Sequence, residues 1–234
     1  GIGSDKANGI VINGTEVYIT GSFGGNAIFD TLSITSVGAD DVFIAKYNTS
    51  GTCQWAVKIA GSLSDNAKSI AVDGSGNVYV AGNWMGSSTL SFNNNKTLSN
   101  TTTNEDAFIA KYNSSGTCQW VEKIAGTSYD VVKSIAVNSV ILIAGYSYST
   151  PITFNNSKTL SNTTTNYDVF IAKYGINFKP IAPITNSTNI STKPIFRWLD
   201  NWGLNIEIST IESFSINFQT YEVSEHYFIY PYNL

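Results

Sequence analysis

Asp41-Val-Phe-Ile-Ala-Lys-Tyr47 returns as Asp106-Ala-Phe-Ile-Ala-Lys-Tyr112 and once more as Asp168-Val-Phe-Ile-Ala-Lys-Tyr174. The copies begin 65 and then 62 residues apart. Around them, Gly51-Thr-Cys-Gln-Trp55 is repeated at Gly116-Thr-Cys-Gln-Trp120. Ser69-Ile-Ala-Val72 is repeated at Ser134-Ile-Ala-Val137, with a looser copy at Gly9-Ile-Val-Ile12. A long fixed period means stacked copies of one supersecondary unit, so the fold is decided by what one unit is.

The second unit reads as four strands. Ser69–Asp73 is a short β run, Gly74-Ser-Gly76 a tight turn, and Asn77–Gly82 a second run. A long Asn/Ser/Thr stretch leads to Asp106–Tyr112, and Asn113-Ser-Ser-Gly116 turns the chain into Thr117–Ile124. No window carries the 3.6-residue period of a helix, and Val, Ile, Tyr, Phe and Trp dominate the runs. The runs are apolar on both faces, as in Val42-Phe-Ile-Ala45. A sheet with one wet face would alternate. A blade covered by neighbours on both sides would not, so the pattern predicts an all-β chain of β-propeller blades.

The order Asp-x-Phe-Ile-Ala-Lys-Tyr, Gly-Thr-Cys-Gln-Trp, Ser-Ile-Ala-Val and Asn77-Val-Tyr-Val-Ala-Gly82 resembles the SBBP-type β-propeller repeat of bacterial and archaeal surface and secreted proteins. The resemblance implies a propeller and an extracellular or cell-surface setting, and it implies no reaction. It covers residues 1–175, with units at about 1–60, 61–125 and 126–175. The third unit reads Gly175-Ile-Asn-Phe-Lys-Pro180 where Thr-Cys-Gln-Trp belongs, which predicts a missing outermost strand. Upstream sequence, a ring completed by several chains, or an open stack would each accommodate so few blades. Residues 176–234 resemble the opening strands of an Ig-like or fibronectin-III-like module, with Ile195-Phe-Arg-Trp198 as a core strand. Such a module takes about 100 residues, so a reduced or truncated sandwich is expected.

Composition narrows the function. Charged residues make up 13% of the chain, about half the usual share, so Asn, Ser and Thr must build the surface. That suits a secreted or surface protein. A net charge of −4 without a basic run argues against a nucleic-acid partner. No apolar stretch approaches a membrane span, and the chain opens in mid-repeat, as a mature or cut product would. Cys53 and Cys118 hold equivalent positions one unit apart, beyond the ~7 Å Cα separation a disulfide allows, so two free buried thiols are expected.

The chemistry-bearing residues recur one per unit. Asp5, Asp65 and Asp130 precede the first strand of each unit. Asp41, Asp106 and Asp168 open the third strand, and Lys46, Lys111 and Lys173 close it. A catalytic site needs unlike groups converging on one point, so these positions read as structural, capping turns or forming a buried Asp–Lys pair between blades. His226 is the one histidine, which leaves no His-based metal cluster or catalytic triad. Asp73-Gly-Ser-Gly-Asn77 has the look of a calcium loop but too few oxygen ligands, and a hairpin turn is expected. No cofactor, metal or phosphate loop is expected. Sequons stand at Asn13, Asn48, Asn95, Asn100, Asn113, Asn155, Asn162, Asn186 and Asn189. The segments 83–104 and 146–166 read as loops on one rim, where Trp84, Tyr146, Tyr148 and Phe154 could stack on sugars or cover the blade below.

The expectation is therefore a non-enzymatic structural or adhesive protein presenting loops on a blade stack, with other copies of itself or other surface proteins as partners. A lectin-like glycan binder is the alternative. An enzyme on a propeller scaffold, such as a polysaccharide lyase or hydrolase, would need clustered unlike polar groups.

Overall fold

A computed structural model describes residues 3–86, 88–154, 158–161 and 166–175 in full, and the backbone of five further strands between residues 180 and 231. Among the described residues there are strands and turns but no helix.

The first module is an antiparallel meander of β1 (Lys6–Asn13), β2 (Glu16–Phe29), β3 (Leu32–Asn48) and β4 (Cys53–Ile59), in that spatial order. The second places β5 (Asp65–Val72), β6 (Val78–Met85), β9 (Glu105–Tyr112) and β10 (Cys118–Ala125) in the same order. Between its second and third strands it inserts a hairpin of β7 (Thr89–Phe92) and β8 (Lys96–Ser99). The third repeats the plan with β11 (Asp130–Val137), β12 (Val140–Ser147), β15 (Asp168–Gly175) and β16 (Pro180–Ala182), and inserts β13 (Ile152–Phe154) and β14 (Lys158–Leu160). In the first module the same hairpin is simply the far ends of the long β2 and β3, paired from Asn26↔Thr35 to Phe29↔Leu32. The segments read as rim loops are thus partly strands.

Every first strand carries a bulge at one place, between Ala7 and Gly9, Ala67 and Ser69, and Val132 and Ser134. The partner strand offers a glycine opposite each: Gly21, Gly82 and Gly145. A Cβ on Gly82 would lie 2.4 Å from the Asn66 carbonyl oxygen and 2.7 Å from the Phe108 ring. Crowding against a backbone oxygen cannot be relieved by a rotamer change. Gly82→Ala is expected to lower stability by about 2–3 kcal/mol, read from the urea midpoint at unchanged m-value.

The near-continuous apolar runs now have a cause. Side chains alternate across a strand, and here both faces are inside. Phe108, Ala110 and Tyr112 of β9 face a core that includes Val42, Ile44 and Ile59 of the first module. Ala107 and Ile109 face another that includes Val132, Ile135, Ile143 and Phe170 of the third. The middle module is therefore sandwiched, as the sequence predicts for a blade.

One expectation is corrected. The outer position of the third module holds β16, paired through Lys173↔Ala182 and Tyr174↔Pro180. Its three residues lack the Thr-Cys-Gln-Trp signature, which is why the sequence reads as vacant there. Beyond it lie two separate hairpins, β17 (Ile195–Leu199) with β18 (Asn205–Ser209), and β19 (Phe218–Val223) with β20 (His226–Pro231). The expected strand at Ile195–Trp198 is present.

Candidate functional site

The recurring acids meet at the junctions between modules. Asp41 opens the inner half of β3 and Asp65 opens β5; both are fully buried. Asp41 Oδ2 accepts the Val37 N–H at 2.6 Å. Burial, then the adjacent Asp41 carboxyl, pushes Asp65 up to about 8. Burial raises Asp41 as well, against the pull of the Val37 and Gly61 amides and of Lys58. Three buried oxygens, Asp41 Oδ1 and both of Asp65, have no hydrogen-bond partner among the described residues. Two acids this close cannot both ionise, so one proton shared between them satisfies the pair.

The second junction repeats the first. Asp106 is the second residue of β9 and Asp130 opens β11, again fully buried. Burial and then the Asp130 charge push Asp106 up to about 7. Burial pushes Asp130 up to about 6, held back by the Ser147 and Ser149 hydroxyls and the Gly126 amide. Ser147 Oγ donates to Asp130 Oδ1, and Ser149 Oγ donates to Oδ2 at 2.8 Å. Asn83 Nδ2 crosses the same junction to the Asp130 carbonyl at 2.8 Å.

The expected Asp–Lys pairs are corrected by this arrangement. Lys46 lies 3.4 Å from Glu16 and stands over the Tyr18 ring, and Lys111 stands over Tyr79. Position along the strand explains it: the aspartates gather at one end of the third strands and the lysines at the other, roughly 16 Å away, so an Asp of one module does not reach a Lys of the next either. The cations that do act on the acids are Lys58 and Lys123, one repeat apart and not singled out from the sequence. Lys58 Nζ donates to the Thr35 carbonyl and Lys123 Nζ to that of Ser99. Asp5 accepts from Gly24 N at the front of the first module, and Asp168 stands half-buried at the back of the third.

A backbone clasp accompanies each acid pair. Ala60 and Ser91 exchange hydrogen bonds at 3.0 and 2.8 Å, tying the second module's hairpin to the outer strand of the first. Ala125 pairs with Thr153, one repeat later and in the same register. Ser91→Pro removes one of these donors and is expected to cost about 1–3 kcal/mol. Hydrogen exchange checks it: the Ala60 amide should lose protection while β6 and β9 keep theirs.

The aromatic residues separate into two groups. Trp84 in β6 and Phe154 in β13 are buried in the module cores, so their expected place on the rim is corrected. Tyr146 and Tyr148 do reach the surface, where Tyr129 (47% exposed) and Tyr167 (56% exposed) join them. Tyr148 and Tyr167 rings lie 3.9 Å apart between centroids, and Lys133 stands over Tyr146. The Tyr167 hydroxyl, bonded to that of Tyr148, pushes Tyr148 up to about 12. Tyr129 and Tyr167 lie outside the repeated phrases, so no periodic signal marks them.

Among the sequons, Asn95 is exposed at a hairpin turn, whereas Asn13, Asn48 and Asn113 are half-buried. Asn100 is buried, with its amide bonded to the Asn104 carbonyl and its oxygen to Thr102, so it is removed as a glycan acceptor. Asn155, Asn162, Asn186 and Asn189 lie outside the described residues. Asp73 is the expected turn: Ser75 N, Asn77 N, Asn77 Nδ2 and the Tyr79 hydroxyl all donate to it. Cys53 and Cys118 are free and buried. The described residues hold no group of three or more His, Cys, Asp or Glu placed to bind a metal. The His226 side chain lies outside the described residues.

The family described as Beta-propeller repeat (SBBP) matches residues 54–83, a segment that crosses the first junction and contains Asp65 and Gly82. This chain is a β-propeller-type repeat protein. An uncharacterized WD repeat-containing protein of Acanthamoeba polyphaga mimivirus is 29% identical to this propeller-type chain over an alignment of 189 residues. That alignment covers 74% of this chain and 13% of the relative. The chain thus spans a small part of the relative's length.

Proposed function

We propose that this chain is a non-enzymatic structural or adhesive protein, acting outside the cell or at its surface, that presents loops on a rigid stack of blades. The recurrence of one junction carries this reading: the buried acids and the hairpin clasps lie where they fasten module to module. The low charge content and the Asn/Ser/Thr-built surface support the extracellular setting. Residues 176–234 fit the reading as a reduced Ig-like or fibronectin-III-like segment, supported by the paired strands β17 and β18. Other copies of the chain or other surface proteins are the partners such a stack would join.

The tyrosine group at one end of the third module favours a second reading, a lectin-like site in which exposed rings stack on a sugar. Electron microscopy of the purified chain alongside a glycan array separates the two. Regular particles built from blade-sized units, with a silent array, support the structural reading. Array hits lost on Tyr148→Ala or Tyr167→Ala support the lectin, and turnover of a polysaccharide by the purified chain would sink both.

A further inference from the structure

The bulge in each first strand leaves one residue without a cross-strand partner: Asn8, Lys68 and Lys133. Asn8 shows where such a side chain goes. Its Nδ2 reaches into the second module, donating to Asn66 Oδ1 at 2.9 Å and to the Ala67 carbonyl at 2.8 Å. In the next two modules the position holds a lysine instead. The strands that carry these lysines abut, with the Ile135 N–H donating to Ser69 Oγ at 3.2 Å. Lys68 is half-buried and Lys133 exposed. Burial holds Lys68 below the usual lysine range; Glu105 pulls the other way, and the Lys133 and Lys6 charges push it further down. Three modules thus bring an ammonium group each toward one place. Among the described residues no carboxylate stands in ion-pair contact with Lys68 or Lys133. Like charges gathered in this way cost stability, and an anion seated among them reverses the sign.

Aromatic rings border the same group. Lys133 Nζ stands 5.3 Å from the centre of the Tyr146 ring. Tyr146 meets Tyr167 edge-on at 4.9 Å between centroids, and Tyr167 lies against Tyr148. Burial, then Tyr167 and Glu105, raises Tyr146; Glu105 also acts on Lys68, so lysine and ring belong to one patch. A neutral sugar would use the rings and leave the lysines without a role. A sugar that carries a negative charge uses both, its apolar face on a ring and its anion on the ammonium groups.

We propose that Lys68 and Lys133, with the rings of Tyr146, Tyr148 and Tyr167, form a binding site for an acidic saccharide, whose carboxylate or sulfate sits on the two lysines. The inference rests on the sugar-binding reading above and names the class of its ligand.

The test is isothermal titration of the full chain with three oligosaccharides of equal length: one of uronic acids, the same one with its carboxyls reduced to alcohols, and one bearing sulfate esters. An acidic ligand should bind about ten-fold tighter than the neutral one, and the advantage should shrink in about 1 M salt. Either acidic ligand alone supports the proposal, and the tighter of the two identifies the anion. Lys68→Gln with Lys133→Gln should bring the acidic ligands down to the affinity of the neutral one. The melting temperature should stay level or rise, because like charges have been removed. Tyr148→Ala should weaken all three ligands alike. Equal affinity for charged and neutral ligands, or an acidic preference that survives the lysine variant, overturns the proposal and leaves a sugar site on the tyrosines standing. Failure of all three to bind overturns the sugar-binding reading itself, and the proposal with it.

Discussion

Stability should fall as the pH is raised from 4 to 9, the opposite of the usual carboxylate pattern. In the unfolded chain Asp65 ionises near 3.8, and in the folded chain near 8. Between those values the unfolded state binds fewer protons, so each step up in pH favours unfolding. The loss begins near pH 4 and is complete once the pH exceeds the folded value. Asp106, raised to about 7, and Asp130, raised to about 6, act in the same direction at the second junction. Glu122, buried in β10 and pushed up by that burial to about 8, adds to it. Four pH units at one junction correspond to ~5 kcal/mol, a large share of the ~5–15 kcal/mol that holds a domain together. Asp73 runs the other way. Burial works to raise it, the donors from Asn77, Tyr79 and Ser75 outweigh that, and its contribution is lost only in acid below the window. Urea midpoints at half-unit steps from pH 4.5 to 9 measure the slope. Asp65→Asn keeps the size and a donor toward Asp41 while removing the titration. It should make the profile shallower, with Asp106, Asp130 and Glu122 still titrating, and leave the variant more stable than the parent at pH 9. A parent profile that rises or stays level would reject the shared-proton pairs.

Trp84→Ala is expected to cost about 3–5 kcal/mol. The indole is fully buried in the first junction core, 6.3 Å from the Phe108 ring between centroids. Removing it leaves a void between two modules whose clasps and acid pair hold them at fixed separation, so collapse around the gap is restricted. The two junctions fasten one stack, and the loss should appear as an earlier cooperative transition in urea. Tyr167→Ala makes the contrast: an exposed ring at the surface should change stability by less than about 0.5 kcal/mol. The pair therefore separates the two groups of aromatics that the sequence placed together on one rim. A Trp84→Ala protein as stable as its parent would mean the first junction is not packed as described.

The blades were legible because their strands are repeated phrases with no polar face, and β9, enclosed on both sides, is the plainest case. Asp41, Asp65, Asp106 and Asp130 were legible as structural positions for the same reason. Their partners were not. The pairing of Asp41 with Asp65 runs between strands separated by a whole outer strand and a turn, and no local pattern reports which neighbour a side chain will face. Lys46 follows Asp41 within one strand, so it drew attention that belonged to Lys58 on the adjacent strand. The hairpins were missed for a further reason: Thr89–Ser99 is short and largely polar, and it is tied at Ser91 to the outer strand of another module. Trp84 looked like a loop residue because it sits at the end of an apolar run, just before that stretch begins.

The hairpins of the second and third modules each reach back to the module before. During synthesis, then, the end of the outer strand, at Ala60 or Ala125, stays unclasped until roughly thirty residues of the next module have followed. Translation would close each of these two clasps one step late, and the interval in which the loose strand end can capture the wrong neighbour is set by elongation speed rather than by the folding rate of the unit itself.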